Sequence, residues 1–224
     1  LVVIIRGGIV MDRVKDKVAV VTGGALGIGR SACILLAKEG AKVAVTDIMH
    51  EEAKQVVEEI RQAGGIADYW AMDVADEGAI SAAFDDIETK FGPITVLVNN
   101  AGIGGANKPT HEITQEEWDK VMAVNVKGVF LCTKYAIPQM QKAGIGSIIN
   151  LSSIYGLIGN GDVPPYHAST GAVRLMSKNA ALIYATQNIR VNSLHPGFII
   201  TPMVENFLTA QDNPDAVRTA LEQS

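Results

Sequence analysis

Short runs of β-branched residues alternate with longer stretches of helical period along most of this chain. The short apolar runs predict buried strands at residues 18–21, 42–46, 66–71, 96–98, 147–151 and 189–194. Apolar residues at helical spacing predict helices at residues 31–39, 51–63, 79–91, 115–142 and 166–185. Strands that are regularly separated by helices predict an α/β fold, with one doubly wound parallel sheet that carries helices on both faces.

The chain of 224 residues has the length of a single domain. Residues 1–10 precede Met11, which has the character of a natural start, so we interpret them as an extension. Their apolar content also allows an extra strand. No positively charged region precedes the apolar residues at the start, and this argues against a signal peptide. Residues 11–224 are predicted to form one domain without an interdomain linker.

Composition and charge narrow the classes of function. Hydrophobic residues make up 48% of the chain and charged residues 19%, as in a globular protein with a substantial core. The formal net charge is −5 and basic residues are scattered, so neither a nucleic acid nor a membrane is a predicted partner. Cys33 and Cys132 lack metal-ligand spacing. They are interpreted as reduced thiols of a cytoplasmic protein, and no metal site is predicted.

A glycine-rich turn follows the first strand of the predicted sheet and opens the first helix. Gly23, Gly27 and Gly29 have the spacing Gly-x-x-x-Gly-x-Gly, with Leu26 and Ile28 between them. Glycines permit a tight turn and let backbone N–H groups approach a pyrophosphate at the start of a helix. In this position the turn predicts a dinucleotide site in a Rossmann-like fold, whereas an ordinary tight turn is the alternative.

Acidic residues follow the next two predicted strands. Asp47 lies 18 residues after Gly29, where a carboxylate accepts hydrogen bonds from the adenosine ribose hydroxyls and repels a 2′-phosphate. This position favours NAD over NADP, and an Asp that caps a helix is the alternative. Asp73 and Val74 follow the third strand and are predicted to meet the adenine edge, although Asp after a strand is also common in turns.

Several further motifs resemble those of the classical short-chain dehydrogenases/reductases. They are Asn99-Asn100-Ala101-Gly102, Asn125, Ser152-Ser153, Tyr166 and Pro196-Gly197, and with the glycine-rich turn the resemblance extends over residues 14–210. The sequence is similar in character to bacterial secondary-alcohol and cyclic-alcohol dehydrogenases, with 3-oxoacyl-carrier-protein reductases nearby. The resemblance implies an NAD-dependent oxidoreductase. It also implies a tetramer or dimer that associates through the helices after Gln115 and Tyr166, and a further C-terminal helix and strand that this sequence is expected to lack.

The resemblance implies a role for each matching residue. Tyr166 matches the general acid/base that exchanges a proton with the substrate oxygen, and Ser153 matches the serine that hydrogen-bonds this oxygen. Ser152 is expected to point away. Asn125 matches the residue that holds a proton-relay water. An ordinary interfacial tyrosine and an asparagine at a helix kink are the alternatives for Tyr166 and Asn125. The residues implied to line the cofactor are Asn100, Ala101, Gly102, Pro196, Gly197 and Thr201.

Thr170 departs from the family motif Tyr-x-x-x-Lys. The resemblance implies a lysine here, which binds the nicotinamide ribose and lowers the pKa of the tyrosine by its positive charge. Positions four apart share a helix face, so Thr170 is expected to point into the site of Tyr166 without supplying that charge. Arg174 and Lys178 lie one and two turns further on and do not obviously replace it.

Three interpretations of Thr170 stay open. The first, which we favour, is a substitution in an otherwise competent enzyme, with turnover lowered about 10²-fold or more. The second is a natural enzyme of low activity, and the third is a dinucleotide-binding protein that does not catalyse.

The predicted substrate rim is apolar. Because it contains no arginine, it favours a small to medium neutral ketone or secondary alcohol over a carboxylate or phosphate ester. A 3-oxoacyl-carrier-protein substrate is the alternative, although little basic surface is available for it. The same side chains are equally consistent with core or oligomer contacts. The rim residues are Ile154, Tyr155, Ile158, Val163, Phe198, Ile199 and Met203.

Overall fold

A six-stranded parallel sheet forms the centre of the protein. The computed structural model describes residues 3–5, 8–10 and 12–209. The strands in these residues are β1 (Val3–Ile5), β2 (Gly8–Val10), β3 (Val18–Thr22), β4 (Lys42–Asp47), β5 (Ile66–Ala71), β6 (Val96–Asn99), β7 (Gly146–Leu151) and β8 (Ile189–Leu194). Strands β3 to β8 form the main sheet in the order β5-β4-β3-β6-β7-β8, and every neighbouring pair is parallel. The six predicted strands are confirmed to within one residue at either end.

Helices cover both faces of this sheet. Alternate residues of β3 point to opposite faces. Val18 and Val20 join a core with the helices at residues 77–91 and 128–143, and Ala19 and Val21 join a core with the helices at residues 27–38 and 50–62. The predicted doubly wound α/β architecture is therefore confirmed. The helices are α1 (Gly27–Lys38), α2 (His50–Gln62), α3 (Glu77–Phe91), α4 (Gln115–Met122), α5 (Gly128–Ala143), α6 (Pro164–Tyr184) and α7 (Pro202–Thr209).

The long helical region predicted at residues 115–142 is interrupted. Thr114 and Glu117 form a reciprocal capping box at the start of α4, which explains why the helix begins there. Residues 123–127 then form a π-helical turn between α4 and α5. Such a turn inserts one extra residue into a helix and often marks a functional position. Asn125 lies in this turn.

The ends of the described chain form elements that the sequence pattern left unassigned. β1 and β2 pair with each other as an antiparallel ladder, separate from the main sheet, so residues 3–5 and 8–10 add no strand to that sheet. Helix α7 follows the loop after β8. The interpretation of residues 1–10 as an extension stays a prediction, and residues 210–224 lie outside the described residues.

The strand order creates a crevice at the carboxyl ends of β3 and β6. From β3 the chain proceeds to β4 on one side, whereas β6 lies on the other side, so the connections after these two strands diverge. Ligands of open α/β sheets bind at such a switch point. The glycine-rich turn follows β3 and the Asn99–Gly102 motif begins at the end of β6, and both therefore lie at this crevice.

Candidate active site

The glycine-rich turn has a backbone that only glycine accommodates. Gly23 and Gly27 have φ angles of +63° and +54°. A Cβ atom on Gly23 would lie 2.9 Å from the Cα of Ala101, and one on Gly29 would overlap the carbonyl oxygen of Gly23. Helix α1 begins at Gly27, four residues before the predicted start, because the turn itself supplies the first helical residues. The backbone N–H groups at this helix start fit a pyrophosphate.

Thr22 and Asn100 hold the turn against the end of β6. The Thr22 hydroxyl accepts the N–H groups of Asn100 and Ala101, each at 3.0 Å. The Asn100 amide in turn donates to the carbonyl oxygens of Thr22 and Gly23, each at 3.0 Å. The structure thus places Asn100 and Ala101 beside the glycines, and their contact with a cofactor stays a prediction. It also gives Thr22 a structural role that the sequence pattern did not reveal.

Asp47 lies at the carboxyl end of β4 with its carboxylate buried. One carboxylate oxygen accepts the N–H of Ala25 at 3.0 Å, and the other accepts the N–H of Met49 at 2.9 Å. A carboxylate has about four acceptor positions, so each oxygen retains capacity for a ribose hydroxyl. The bond to Met49 is a local turn bond and does not cap α2, since Met49 itself precedes the first helical residue and no side chain caps this helix.

Asp73 and Val74 lie at the start of the loop after β5. The Asp73 carboxylate accepts the N–H of Ala75 at 2.8 Å, which is the turn role considered as an alternative. Val74 is buried and packs against Gly128, where a Cβ atom would come within 2.9 Å of the valine side chain. Their contact with an adenine stays a prediction.

Ser153 and Tyr166 come together at the carboxyl end of β7. Ser153 is buried, and its hydroxyl accepts the N–H of Tyr155 at 3.2 Å at the start of a short 3₁₀ turn. Burial raises the pKa of the Tyr166 phenol above its usual value, and a hydrogen bond from the Ser153 side chain opposes this rise. Ser152 faces away as expected, since its hydroxyl donates to the carbonyl oxygen of Thr170 at 2.9 Å.

Asn125 connects the π-helical turn to the loop after β6 and to α6. Its amide exchanges two hydrogen bonds of 2.9 Å with the backbone of Ile103 and donates to the Ser169 hydroxyl at 3.1 Å. Gly102 lies beside it, because a Cβ atom there would be 3.4 Å from the Asn125 amide oxygen. Asn125 is therefore a fixed and buried residue next to the helix of Tyr166, and the relay-water role stays a prediction.

Thr170 is buried one turn after Tyr166, and its hydroxyl is turned onto its own helix. The hydroxyl contacts the carbonyl oxygens of Tyr166 at 3.0 Å and His167 at 3.2 Å. The guanidinium of Arg174 donates to the carbonyl oxygen of Gly156 at 3.3 Å. Thr170 thus supplies no charge to the phenol, and its one hydroxyl proton is already engaged.

An aromatic cluster centred on Tyr155 lies beside Tyr166. The ring of Tyr155 stacks on His167 at 4.2 Å and meets Tyr166 edge-on at 6.3 Å and Phe198 at 5.9 Å. Tyr155 and Phe198 therefore lie near Tyr166, as the rim prediction requires. His167 was not among the predicted residues, although it directly follows Tyr166. Ile158, Ile199 and Met203 are exposed and Val163 is buried, and their contact with a substrate stays a prediction.

The loop after β8 runs from the turn that follows Ser153 to the glycine-rich turn. The Ile154 N–H donates to the carbonyl oxygen of Pro196 at 2.9 Å. At the other end of the loop, Thr201 lies against Gly27, where a Cβ atom would be 3.2 Å from the threonine methyl group. Pro196, Gly197 and Thr201 thus lie on a loop that joins the two halves of the site.

The described ranges contain neither a metal-binding cluster nor a membrane-spanning helix. No group of three or more His, Cys, Asp or Glu residues there has metal-binding geometry. No helix in the same ranges combines the length and hydropathy needed to cross a membrane.

Comparison with known proteins agrees with this geometry. A family model described as short chain dehydrogenase matches residues 17–212. The chain belongs to the short-chain dehydrogenase family. It is 47% identical to the cyclopentanol dehydrogenase of Comamonas testosteroni, over 94% of this chain and 83% of that protein. It is 43% identical to the NADP-dependent (R)-specific alcohol dehydrogenase of Lentilactobacillus kefiri, over 90% of this chain and 80% of that protein.

A solved structure shows the same architecture. The crystal structure of levodione reductase matches with a TM-score of 0.87 and 36% sequence identity, over 94% of this chain and 82% of that one. The Rossmann-like α/β fold, the family and the enzyme class are therefore confirmed: this short-chain dehydrogenase is an oxidoreductase of alcohols and ketones that uses a nicotinamide dinucleotide.

Proposed function

We propose that this protein is an NAD(H)-dependent dehydrogenase that interconverts neutral secondary alcohols, cyclic alcohols included, with their ketones. The observation that carries the proposal is the position of Ser153 and Tyr166 around Tyr155, whose N–H donates to the Ser153 hydroxyl at 3.2 Å and whose ring meets that of Tyr166 edge-on at 6.3 Å. Two relatives support the substrate class by name, a cyclopentanol dehydrogenase and the cyclohexanol dehydrogenase of an Acinetobacter strain, the latter 40% identical.

We assign to each of these residues the role that the family resemblance implies for its position. Tyr166 takes the hydroxyl proton during oxidation of an alcohol and returns it to the oxygen during reduction of a ketone. Ser153 donates a hydrogen bond to the same oxygen, where negative charge develops. Asn125, Asn100 and the glycine turn fix the surrounding backbone. A bound nicotinamide supplies the hydride acceptor or donor, and the chain aligns the substrate with it.

The preference for NAD rests on Asp47. Its carboxylate is held by two backbone N–H groups at the edge of the crevice, with acceptor capacity left for two ribose hydroxyls. A 2′-phosphate placed there would meet a buried negative charge. Because one relative is named as NADP-dependent, the choice is tested by comparing kcat/KM for the two cofactors. Activity with NADP equal to that with NAD would contradict this part of the proposal.

Thr170 is proposed to lower the activity of a competent enzyme. The structure supports this interpretation because Ser153 and Tyr166 lie together, whereas Thr170, one turn after Tyr166, carries no charge. A dinucleotide-binding protein without catalysis is the competing function, favoured by the same neutral Thr170. A 3-oxoacyl-carrier-protein reductase is less consistent with the exposed apolar residues of the predicted rim.

Two further properties belong to the proposal. We expect a homo-oligomer, a tetramer or a dimer, because α4, α5 and α6 expose apolar side chains and Met122, Phe130 and Met176 line a shallow groove between them. A cytoplasmic location is supported by the two buried free thiols of Cys33 and Cys132.

The deciding experiment is NADH formation from a panel of linear and cyclic secondary alcohols. The parent chain and the variants Tyr166→Phe and Ser153→Ala are assayed together, with NAD binding measured by calorimetry. We expect turnover of at least one cyclic alcohol by the parent, lost in Tyr166→Phe although NAD still binds. Tight NAD binding without turnover, unchanged in a Thr170→Lys variant, would instead support the non-catalytic alternative.

A further inference from the structure

His195 lies between the catalytic serine and the last strand of the sheet. Its Nδ1 is 3.0 Å from the carbonyl oxygen of Ser153, and its Nε2 is 2.9 Å from the Ser193 hydroxyl. A carbonyl oxygen only accepts hydrogen bonds, so Nδ1 carries a proton and donates it to Ser153. Both ring nitrogens are therefore engaged, and the imidazole is fixed in one orientation.

The backbone on either side of this contact is joined in register. The Ser152 N–H donates to the carbonyl oxygen of Leu194 at 2.8 Å, and the Ile154 N–H donates to that of Pro196 at 2.9 Å. The ladder between β7 and β8 thus continues past the end of both strands. Between these two bonds, the imidazole of His195 binds the peptide group of Ser153 itself.

We propose that His195 is a positioning residue that fixes the peptide of Ser153 and thereby aims the serine hydroxyl at Tyr166. The proposal rests on the function proposed above for Ser153 and Tyr166. The hydrogen bond from His195 matters at this point because the chain leaves the sheet at Ser153 and enters a 3₁₀ turn. Without the imidazole, the Ser153 carbonyl keeps only the N–H of Gly156, at 2.9 Å within the same turn.

The position of His195 also links the serine to the cofactor crevice. The loop that begins at His195 reaches the glycine-rich turn, where Thr201 packs against Gly27. The loop is therefore held at both ends, by the contact of His195 with Ser153 and by the packing of Thr201 on Gly27. All residues of this loop, from His195 to Thr201, are described in the structure.

Three replacements separate the two hydrogen bonds of the ring. His195→Asn places an amide N–H near the position of Nδ1 and retains the bond to Ser153. His195→Gln places an amide near the position of Nε2, so it retains the bond to Ser193 and loses the bond to Ser153. His195→Leu removes both bonds and has a similar volume. Ser193→Ala serves as the matched control, because it removes the bond at Nε2 and leaves the bond to Ser153.

The first readout is the ionisation of Tyr166, which needs no turnover. The pKa of the phenol is followed by NMR of ¹³C-labelled tyrosine, with the signal assigned from Tyr166→Phe. Since the Ser153 hydrogen bond lowers this pKa, His195→Leu is expected to raise it, as Ser153→Ala does. His195→Asn and Ser193→Ala are expected to leave it unchanged. In a Ser153→Ala background, His195→Leu is expected to add nothing further.

The second readout is kinetic. In His195→Leu the Ser153 hydroxyl is no longer correctly oriented for its hydrogen bond. We expect kcat to fall about three- to tenfold, with KM for NAD changed less than about twofold. If His195→Leu and His195→Asn both match the parent in the titration, or if both raise the pKa equally, hydrogen bonding by His195 is not the cause and the proposal is overturned. If the titration responds as expected while no alcohol is oxidised, the positioning role stands and the proposed function fails.

Discussion

At the scale of single residues, Thr170 leaves the position one turn after Tyr166 without a charge. Its hydroxyl donates to carbonyl oxygens of its own helix, so the residue behaves as a buried neutral group. Burial raises the pKa of Tyr166 and no cation lowers it from position 170. The phenol is therefore protonated near neutral pH, although oxidation of an alcohol needs its ionised form.

A lysine at this position is expected to restore activity. Thr170→Lys should raise kcat for alcohol oxidation about 10²-fold at neutral pH, because it adds a positive charge near the phenol and a donor for the cofactor. Thr170→Val is the matched control: it keeps the shape and removes only a hydroxyl that bonds within the helix, so its turnover should stay within about twofold of the parent. Equal turnover of all three chains would show that a charge at position 170 is not what limits this enzyme.

The pH dependence of the reaction should report the same charge. Oxidation requires the phenolate of Tyr166, so kcat/KM for an alcohol rises with pH until the pH exceeds the pKa of this group. Because burial raises that pKa, the rise in the parent should lie on the alkaline side. Thr170→Lys should move it towards neutral pH. Profiles of both chains between pH 6 and about 11 check this, and an identical rise in both would contradict it.

At the scale of elements, the glycine-rich turn and α1 form one unit. The carbonyl oxygen of Gly23 lies so close to Gly29 that an added Cβ would overlap it, and the Asn100 side chain closes the same space. The unit therefore requires that Gly23 and Gly29 carry no side chain.

An alanine in this unit should abolish tight cofactor binding. Gly29→Ala is expected to lower stability by about 1–3 kcal/mol through overpacking and to raise the Kd for NAD about tenfold or more, as 1.4 kcal/mol corresponds to a factor of ten. Gly171→Ala in α6 is the control, since nothing lies within 4 Å of an added Cβ there. It should bind NAD normally and unfold at the same or a higher temperature. Calorimetry and thermal unfolding measure both effects.

The elements also show which features can be predicted from sequence. Strand positions and the glycine turn follow from local patterns, such as the buried residues of β3, and they were confirmed. The bonds from Asn100 to Thr22, 78 residues apart, and from His195 to Ser153, 42 residues apart, arise only after folding. The π-helical turn around Asn125 agrees with the alternative of an asparagine at a helix kink, but its geometry was not predicted, because a helical period does not reveal one inserted residue.

At the scale of the whole molecule, the two faces of the sheet differ in what they expose. On the face of α5 and α6, Phe130, Leu175 and Leu182 have 53%, 65% and 82% of their surface exposed. Leu175 and Leu182 are seven residues apart and therefore lie on one side of α6. Exposed apolar groups in this arrangement favour association with a second copy of the chain.

Charges on this side of α6 should separate the copies. Each buried leucine contributes about 1.5–3 kcal/mol to an interface, and two acidic side chains per chain would repel across it. The double variant Leu175→Glu/Leu182→Glu should therefore scatter light with the mass of one chain at concentrations where the parent is a dimer or tetramer. Leu35→Glu is the control, since Leu35 is 57% exposed but lies on α1, across the sheet. A parent that is monomeric throughout, or a Leu35→Glu variant that dissociates equally, would show that copies do not meet through α6.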